Sequence, residues 1–326
     1  MDEIDFTISM MLAMNSRIPY RELAETFNMS VNSIYKRIKS MVDLDVLHSF
    51  NTKLSLLNFP NSINVVMFGS SRIKNKEDLL QTLGDHECIY NVTQSSGDLI
   101  YIHAHIRNFN ELDPLISYVK QSGEINDLEI GLDSAAPPPH TPQTSEAAQK
   151  SKMDNSEEQG DIKLSKLDFL IINALKDNSR KPVSDIADEI GTSTKTVRRH
   201  LNRLREKKLI DFSIEWYPDK SAVIISIIIL KINPSVEVDK SKLMEQLRKT
   251  YGQTLLFSWN LSNLPNLMLV CVWTHTMKEL QELEASLMPN NFDSVNVTIL
   301  VKGKMFPTWR DTYLEHKIKE IKENLA

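Results

Sequence analysis

The chain carries one sequence module twice. Residues 4–50 and 167–213 align without a gap at a constant offset of 163 positions. The Asn-Ser-Arg run that begins at Asn15, for example, recurs at Asn178. Solenoid repeats have periods of about 20–50 residues, so a period this long indicates that a whole module has been duplicated. We therefore expect both copies to adopt one fold and to share, or once to have shared, one function.

Length and composition limit the class of protein. A chain of 326 residues accommodates about two to four small domains. Two cysteines, Cys88 and Cys271, are too few for a disulfide framework, which favours a reducing compartment. The longest apolar run, residues 222–230, is about half of what a bilayer crossing requires and is interpreted as a buried strand. With no signal-peptide pattern, we expect a cytoplasmic protein that does not bind membranes.

The net charge of −5 hides an uneven distribution. Residues 1–58 contain six basic and seven acidic residues, and residues 62–133 contain five basic and eleven acidic ones. Residues 163–220 instead contain thirteen basic and nine acidic residues. The basic excess therefore lies in the second copy of the module, and this location indicates more about partners than the net value does.

Each copy opens with three predicted helices, and the second and third are joined by a tight turn. Ser30 and Ser193 are placed to cap the third helix of their copies. The predicted helices cover residues 4–14, 20–27 and 30–44 in the first copy, and 167–176, 183–190 and 193–208 in the second. This order is the helix-turn-helix pattern. Short strands follow, leading into turns at Asn51-Thr52 and Pro218-Asp219, which we expect to form a small wing in each copy.

The second part of each half predicts a strand-helix-strand-strand-helix-strand series, the order of a ferredoxin-like sandwich. The fold class is thus α+β, with two winged helix-turn-helix domains, each followed by a ferredoxin-like domain. Residues 134–162, rich in Pro, Ser, Gln and Glu, predict a flexible linker. The expected domains are 1–58, 62–133, 163–220 and 221–304, with an amphipathic C-terminal helix within 305–326 that we expect to pack on its own domain.

The third helix of each copy presents polar and basic side chains on the face opposite its apolar stripe. Arg and Lys match guanine edges and phosphates, and Asn matches adenine, so this face suits a DNA major groove. The candidate DNA-binding residues are Asn32, Ser33, Tyr35, Lys36, Arg37, Lys39, Lys195, Thr196, Arg198, Arg199, Asn202 and Arg203. A basic face on a lone helix is often merely solvated, but its recurrence after the same helix-turn-helix spacing favours DNA.

Both halves resemble the Lrp/AsnC family of transcriptional regulators, in which a winged helix-turn-helix precedes a ferredoxin-like sensing domain. The resemblance rests on runs such as Arg17-Ile18-Pro19-Tyr20 and Leu23-Ala24 in the first copy, and Arg180-Lys181-Pro182 and Ile186-Ala187 in the second. It implies double-stranded DNA as the partner and a small-molecule effector such as an amino acid. It also implies a dimer-like assembly, formed either by homo-oligomers or by the two halves of one chain as a pseudo-dimer.

The resemblance places effector binding near a Gly-Asp turn between the second and third strands of the sensing domain. The first half has Gly97-Asp98 at this turn, and these two residues are the candidate effector-binding residues. The second half has Leu264-Pro265-Asn266 there, which cannot reproduce that turn. An ordinary hairpin turn remains the alternative interpretation of Gly97-Asp98.

Histidines alternate along the third strand of the first sensing domain. Tyr101, His103 and His105 share one face, and Cys88 or His86 is near enough in sequence to complete a metal site. Nothing fixes a third and a fourth ligand, so we expect no metal and no other cofactor. The equivalent face of the second half is apolar, and we expect the two faces to lie against another sheet.

Two alternatives to a DNA-binding regulator remain open. Siroheme decarboxylases resemble the same architecture, but they carry His and Arg in the second strand of the sensing domain. The corresponding residues 88–93 and 255–259 contain neither, and no Walker loop, nucleophile elbow or HExxH motif is present. We therefore expect no enzymatic activity. The second alternative is a regulator whose first helix-turn-helix contacts protein rather than DNA.

Overall fold

A computed structural model of the chain describes residues 1–133, 164–235, 238–287 and 292–324. The linker predicted at 134–162 lies outside the described residues.

Three helices form each helix-turn-helix head. Capping boxes start the first helix of each head, with Asp2 and Asp5 in one and Ser165 and Asp168 in the other. Gly191, at φ +66°, ends the second helix of the second head in the left-handed conformation. The helices are α1 (Glu3–Met14), α2 (Tyr20–Thr26) and α3 (Val31–Asp43), then α6 (Lys166–Leu175), α7 (Val183–Ile190) and α8 (Thr194–Glu206).

The strand after each third helix pairs with the other head. Strand β1 (Leu47–Leu54) and strand β6 (Ile210–Trp216) form an antiparallel two-stranded sheet, with Phe50 opposite Ile214. The turn predicted at Asn51-Thr52 is wrong, because both residues lie within β1, whereas a turn does occur at Pro218–Lys220. Unpaired strand edges attract a second strand, and here each head supplies the strand that the other head lacks.

The two sensing domains follow the expected element order. The first contains β2 (Ile63–Ser70), α4 (Lys76–Gly84), β3 (Ile89–Ser95), β4 (Leu99–Ile106), α5 (Leu112–Gly123) and β5 (Glu129–Asp133). The second contains β7 (Ile224–Ile232), α9 (Lys240–Tyr251), β8 (Leu255–Trp259), β9 (Leu267–Thr274), α10 (Met277–Leu287) and β10 (Phe292–Met305). In each domain both helices cover one sheet face with leucines and other aliphatic residues.

The last strand joins the two sensing domains into one sheet. The early part of β10 pairs with β7, and residues Leu300 to Met305 pair with β3 of the first half. The resulting eight-stranded order is β5-β2-β4-β3-β10-β7-β9-β8. Strand β10 is 14 residues long, well above the usual five or six, and its extra length makes this connection.

The outer strands of this sheet meet each other as well. Asp133 at the end of β5 forms an antiparallel bridge with Leu261, just beyond β8. The faces not covered by helices lie against one another, where Val66 and Tyr101 pack with Ile227 and Leu269. The expectation that these faces lie against another sheet is therefore corrected: they lie against the other half of the same eight-stranded sheet, which curves until its two halves are in contact.

The C-terminal helix α11 (Trp309–Glu323) connects units far apart in sequence. Leu314, Ile318 and Ile321 are buried in the core of the second head, while Trp309 is buried in the core of the first sensing domain. The apolar stripe is core-facing, as expected. It does not pack on its own ferredoxin-like domain, however.

Candidate DNA-binding surface

The recognition helices α3 and α8 bury the same stripe in their heads. Ile34, Ile38 and Met41 are buried in the first, and Val197, Leu201 and Leu204 are buried in the second. Of the candidate residues, eight are exposed, namely Asn32, Tyr35, Lys36, Lys39, Lys195, Arg198, Arg199 and Asn202. The other four are half-buried, and each of these contacts its own head.

Two of the half-buried candidates, Ser33 and Thr196, are hydrogen-bonded to the residue that caps their own helix. The Ser33 hydroxyl lies 2.8 Å from the hydroxyl of Ser30, and the Thr196 hydroxyl lies 2.9 Å from that of Ser193. Both pairs occupy the N-terminus of a recognition helix, where Ser30 and Ser193 also accept from backbone N–H groups. Ser30 and Ser193 therefore cap the recognition helices, and the hydroxyls of Ser33 and Thr196 are held against these caps.

The other two half-buried candidates bind carboxylates of the first helix in the same head. Arg37 lies 2.7 Å from an oxygen of Asp5 and 2.8 Å from one of Asp2, and its bond to Asp5 raises the pKa of Arg37. In the second head, Asp168 holds both Arg203 and His200, with His200 Nδ1 at 2.8 Å. Arg37 and Arg203 thus orient their recognition helices.

Asp168 is fully buried and is hydrogen-bonded to Ser165, His200 and Arg203. Burial by itself raises the pKa of this carboxyl, but hydrogen bonds from Arg203, Ser165 and His200 outweigh burial, so the pKa is lowered. Asp168 and Asp5 occupy equivalent positions in the duplicated module. One aspartate per head therefore caps the first helix and fixes the recognition helix.

A reciprocal pair of arginines joins the two heads. Arg17 donates to the backbone carbonyls of Ser179 and Lys181, the latter at 3.0 Å. Arg180 donates to the carbonyls of Ser16 at 2.5 Å and Ile18 at 3.0 Å. Arg180 also lies over the ring of Tyr20, at 4.3 Å from its centroid. These contacts relate the heads by an approximate two-fold axis within one chain.

Sequence reasoning did not assign this role to Arg17 and Arg180. The sequence did contain a signal for it, because Arg17 and Arg180 occupy the same position in the two copies. An arginine that is kept in both copies and lies outside the recognition helix is a candidate for the contact between the copies.

The exposed recognition surfaces differ in charge. The second presents Lys195, Arg198 and Arg199, whereas the first presents Lys36 and Lys39. Within the described part of the chain, neither Arg198 nor Arg199 forms an ion pair, so both guanidiniums are free to contact phosphate or base edges.

The Gly97-Asp98 turn lies at the seam between the sensing domains. Gly97 has φ +70°, and a Cβ added there would meet no atom within 4 Å, so the space beside it is open. The Asp98 carboxylate lies 3.1 Å from Nζ of Lys76 and is mostly exposed. Ser96, which precedes Gly97, accepts a hydrogen bond at its hydroxyl from the backbone N–H of Ile299 in the second half.

The two histidines of β4 are buried. His105 is hydrogen-bonded to Asn64 at 2.8 Å and stacks on Tyr90. Burial lowers the pKa of His103 to about 4 and holds that of His105 well below its usual value, so both rings are neutral. No group of three or more His, Cys, Asp or Glu side chains is placed to hold a metal ion anywhere in the described ranges.

Comparison with known proteins agrees with this geometry. A family profile described as winged helix-turn-helix DNA-binding matches residues 1–47 and 164–211, one match in each head. An uncharacterized HTH-type transcriptional regulator of Pyrococcus abyssi is 30% identical over 122 residues, which are 36% of this chain and 82% of that relative. The chain belongs to the Lrp/AsnC family. The LrpB regulator of Bacillus subtilis is 28% identical over 101 residues, or 31% of this chain and 68% of LrpB.

The fold of this Lrp/AsnC chain also resembles that of a solved enzyme. The siroheme decarboxylase NirDL superimposes on 98% of this chain and 100% of its own, with a TM-score of 0.57 and 10% sequence identity. At this identity the likeness shows the fold alone.

Among the described helices, none is both long and apolar enough to span a membrane.

Proposed function

We propose that this Lrp/AsnC protein binds double-stranded DNA as a two-headed unit formed within one chain, and that the second head supplies most of the affinity. The observation that carries the proposal is the exposed pair Arg198 and Arg199 on α8, at positions where α3 has Tyr35 and Lys36. Non-specific DNA affinity scales with the number of cations that neutralise phosphates.

We also propose that the protein binds DNA in the cytoplasm.

The test compares charge removal on equivalent helices. Arg198→Ala with Arg199→Ala removes two exposed cations from α8, and Lys36→Ala with Lys39→Ala removes two from α3. We expect the first double variant to lower the slope of log affinity against log salt by about 2 and the second to lower it by less than about 1. Fluorescence anisotropy with a labelled duplex measures both slopes. Equal losses from the two variants would contradict unequal heads.

A second role for the first head is supported by its surface. Val31 and Tyr35 of α3 are 47% and 50% exposed, and Leu44 just after the helix is 55% exposed. Val31 and Tyr35 lie one turn apart on the same face of α3, where two exposed apolar side chains can take part in a protein contact. Tyr35→Arg should then abolish capture of a protein partner and leave the DNA salt slope unchanged, whereas a steeper slope would show that α3 touches DNA.

We further propose that an effector such as an amino acid binds at Gly97-Asp98. The open space beside Gly97 admits a ligand to the backbone, and the exposed Asp98 carboxylate can accept from an ammonium group. Asp98→Ala should remove any thermal shift caused by an amino acid, tested with each standard amino acid in turn. DNA affinity without amino acid should stay unchanged. A shift that survives Asp98→Ala would leave the turn as a hairpin only.

We infer that the protein acts by binding rather than by catalysis. Strands β3 and β8 carry no His or Arg, and His105 is committed to Asn64. The whole-chain likeness to siroheme decarboxylase supports the opposite inference only at the level of fold. An absorbance spectrum with siroheme decides between them, because an enzyme of that class would bind the tetrapyrrole and convert it.

A further inference from the structure

A groove of about 740 Å³ lies between the first sensing domain and the C-terminal helix α11. Pro60 and Asn61, just before β2, line one side of it, and Tyr313 and His316 of α11 line the other. Its volume is within the range of about 300–1,000 Å³ that is usual for binding sites. Among the described residues, its lining includes none from a recognition helix and none from the Gly97-Asp98 turn, so it belongs to neither site proposed above.

Three aromatic rings form part of the groove wall. The half-buried Phe59 meets Trp309 edge-on, at 4.8 Å between ring centroids, and meets Tyr313 edge-on at 5.4 Å. Trp309 Nε1 donates to the carbonyl of His105 at 2.5 Å, which fixes this buried ring on β4. Tyr313 is 37% exposed, and its hydroxyl has no hydrogen-bond partner in the described part of the chain. Aromatic-lined grooves are typical binding sites for proline-rich peptides, whose backbone carbonyls remain free to accept hydrogen bonds.

The charged side chains of the groove are paired with one another. Arg107 forms an ion pair with Glu87, and Lys317 lies 2.8 Å from Glu320. Both the arginine and the lysine of the lining thus have a carboxylate of their own, which a charged ligand would have to displace. This arrangement favours an uncharged ligand.

The chain contains an uncharged, proline-rich segment that begins where the described residues stop, beside this groove. Residues 134–145 contain no Asp, Glu, Lys or Arg and have four prolines, namely Pro137, Pro138, Pro139 and Pro142. The preceding residue, Asp133, pairs with Asn64 in the antiparallel ladder of β5 and β2. Because the two strands run in opposite directions, the chain at Asp133 heads toward the start of β2, where Asn61 lines the groove.

The segment is long enough to reach the groove. Asn61 lies three residues from Asn64, which is about 10 Å along an extended chain. Polyproline II advances about 3.1 Å per residue, so Pro137 and Pro139 can lie about 12 and 19 Å beyond Asp133. The prolines can therefore reach the aromatic rings while Asp133 keeps its place in β5.

The chain also returns close to the groove. The described residues resume at Leu164, which is partly buried against the core of the second head. Leu314 of α11 is buried in that same core, and the ring of Phe169 in α6 lies 6.3 Å from that of Tyr313. Residues 134–163 thus leave the described structure near one side of the groove and rejoin it near the other.

We propose that this groove binds the proline-rich segment 137–142 of the same chain. The proline rings pack against Tyr313 and against Phe59, which rests edge-on on the buried Trp309. The Tyr313 hydroxyl and the Asn61 amide donate to backbone carbonyls of the segment. Docking of this segment does not require the protein to bind DNA.

Peptide competition tests the docking. The probe is a labelled synthetic peptide with the sequence of residues 134–145, SAAPPPHTPQTS, titrated into the full-length protein and followed by fluorescence anisotropy. A full-length variant with all four prolines replaced by alanine should bind the peptide about tenfold more tightly than the wild type. A tethered segment at millimolar effective concentration competes by about this factor with a peptide whose Kd is about 0.1 mM.

Two results of the titration would overturn the proposal. No binding of the peptide to either protein would mean that the groove is not a proline-rich peptide site. Equal binding to both proteins would mean that the groove accepts such peptides from elsewhere and that the segment of the same chain does not occupy it.

Substitutions in the four-alanine variant locate the site. Tyr313→Ala removes a ring and a hydroxyl of the groove and should abolish peptide binding. Tyr313→Phe removes the hydroxyl alone and should weaken binding several-fold, so the site can be located even if Tyr313→Ala does not fold. Tyr35→Ala removes another exposed tyrosine, outside the groove, and should leave binding unchanged. Peptide binding that is unaffected by the Tyr313 substitutions would contradict the assignment.

A matched control changes other residues of the same linker. Gln149→Ala, Ser151→Ala and Ser156→Ala together lie outside the proline-rich segment and should leave peptide binding as weak as in the wild type. Tight binding by this control would show that the prolines are not the occupant. Light scattering should give the same molar mass for the wild type and the four-alanine variant. A mass that halves in that variant would overturn docking within one chain, because the segment would then bind a second copy.

Discussion

The hydroxyl oxygens of Ser16 and Ser179 lie 2.5 Å apart and occupy the same position in the two copies of the module. Both residues are fully buried where the heads meet. On either side of them, Arg17 and Arg180 each donate to carbonyls of the opposite head. A contact between equivalent residues is the mark of a two-fold axis, and here one chain forms it alone.

The arginine pair should hold the heads together. Arg17→Ala or Arg180→Ala leaves buried carbonyls of the opposite head without donors, so we expect each to lower the free energy of unfolding by about 2 kcal/mol. Urea unfolding measures this loss. Arg21→Ala, which removes an exposed arginine of the same head paired with Glu25, should cost less than about 0.5 kcal/mol. Similar losses from Arg17 and Arg21 would contradict the role of Arg17.

Arg37 should act on stability rather than on DNA affinity. Its guanidinium is held by Asp2 and Asp5, so Arg37→Ala should lower the free energy of unfolding by about 1 kcal/mol and leave the salt slope of DNA binding unchanged. The adjacent Lys36→Ala, which removes an exposed cation, should leave stability unchanged. A salt slope that falls in Arg37→Ala would show that Arg37 leaves its carboxylates to bind phosphate.

The preferred DNA site should lack two identical half-sites within the footprint of one chain. A two-fold operator mirrors a two-fold protein, but the exposed residues of the two recognition helices differ at equivalent positions. Tyr35 corresponds to Arg198, Lys36 to Arg199 and Lys39 to Asn202. Selection of binding sites from random duplexes measures this. An enriched palindrome with half-sites about one helical turn apart would indicate that two chains bind through their second heads only.

Buried His103 should make the protein less stable in mild acid. Its pKa is about 4 in the folded protein because of burial, against an ordinary value of 6.5 in the unfolded chain. The unfolded chain therefore binds more protons between these values, so this contribution is present above pH 6.5 and is lost as pH falls toward 4. The contribution of His103 to the free energy of unfolding amounts to as much as about 3 kcal/mol. His105 acts in the same direction.

Comparison with His103→Gln isolates that contribution. The free energy of unfolding of this variant, measured by urea at several pH values, should change less between pH 4 and 6.5 than that of the wild type. The carboxylates titrate equally in both proteins and cancel in the difference. An identical pH dependence would show that His103 is not buried in its neutral form.

Gly131 should control the closure of the sensing domains. A Cβ at Gly131 would lie 2.5 Å from Cδ1 of Leu261, in the second half. Gly131→Val should therefore lower the free energy of unfolding by about 1–3 kcal/mol. Adding Leu261→Ala should recover part of that loss, as a double-mutant cycle would show. Purely additive losses would mean that the two residues are not in contact.

Much of the fold could be predicted because it depends on local pattern. The apolar stripes at Ile34/Ile38 and Val197/Leu201 and the caps Ser30 and Ser193 predicted both recognition helices to within about two residues of their ends. The α+β class with two helix-turn-helix units is confirmed by the profile matches in both halves. The wing was wrong in detail because strand pairing is not local. The residues of β1 cannot indicate that their partner is β6.

The sequence alone determined the duplication, the type of most elements and the family, because all three depend on which residues recur at which spacing. The tertiary structure decided which candidate residues are free. Arg37 and Arg198 look alike in sequence, but only Arg37 meets carboxylates of its own head. It also decided that the two halves pair with each other, as Phe50 of β1 does with Ile214 of β6. Such relations join residues more than a hundred positions apart, and only the packed chain brings them together.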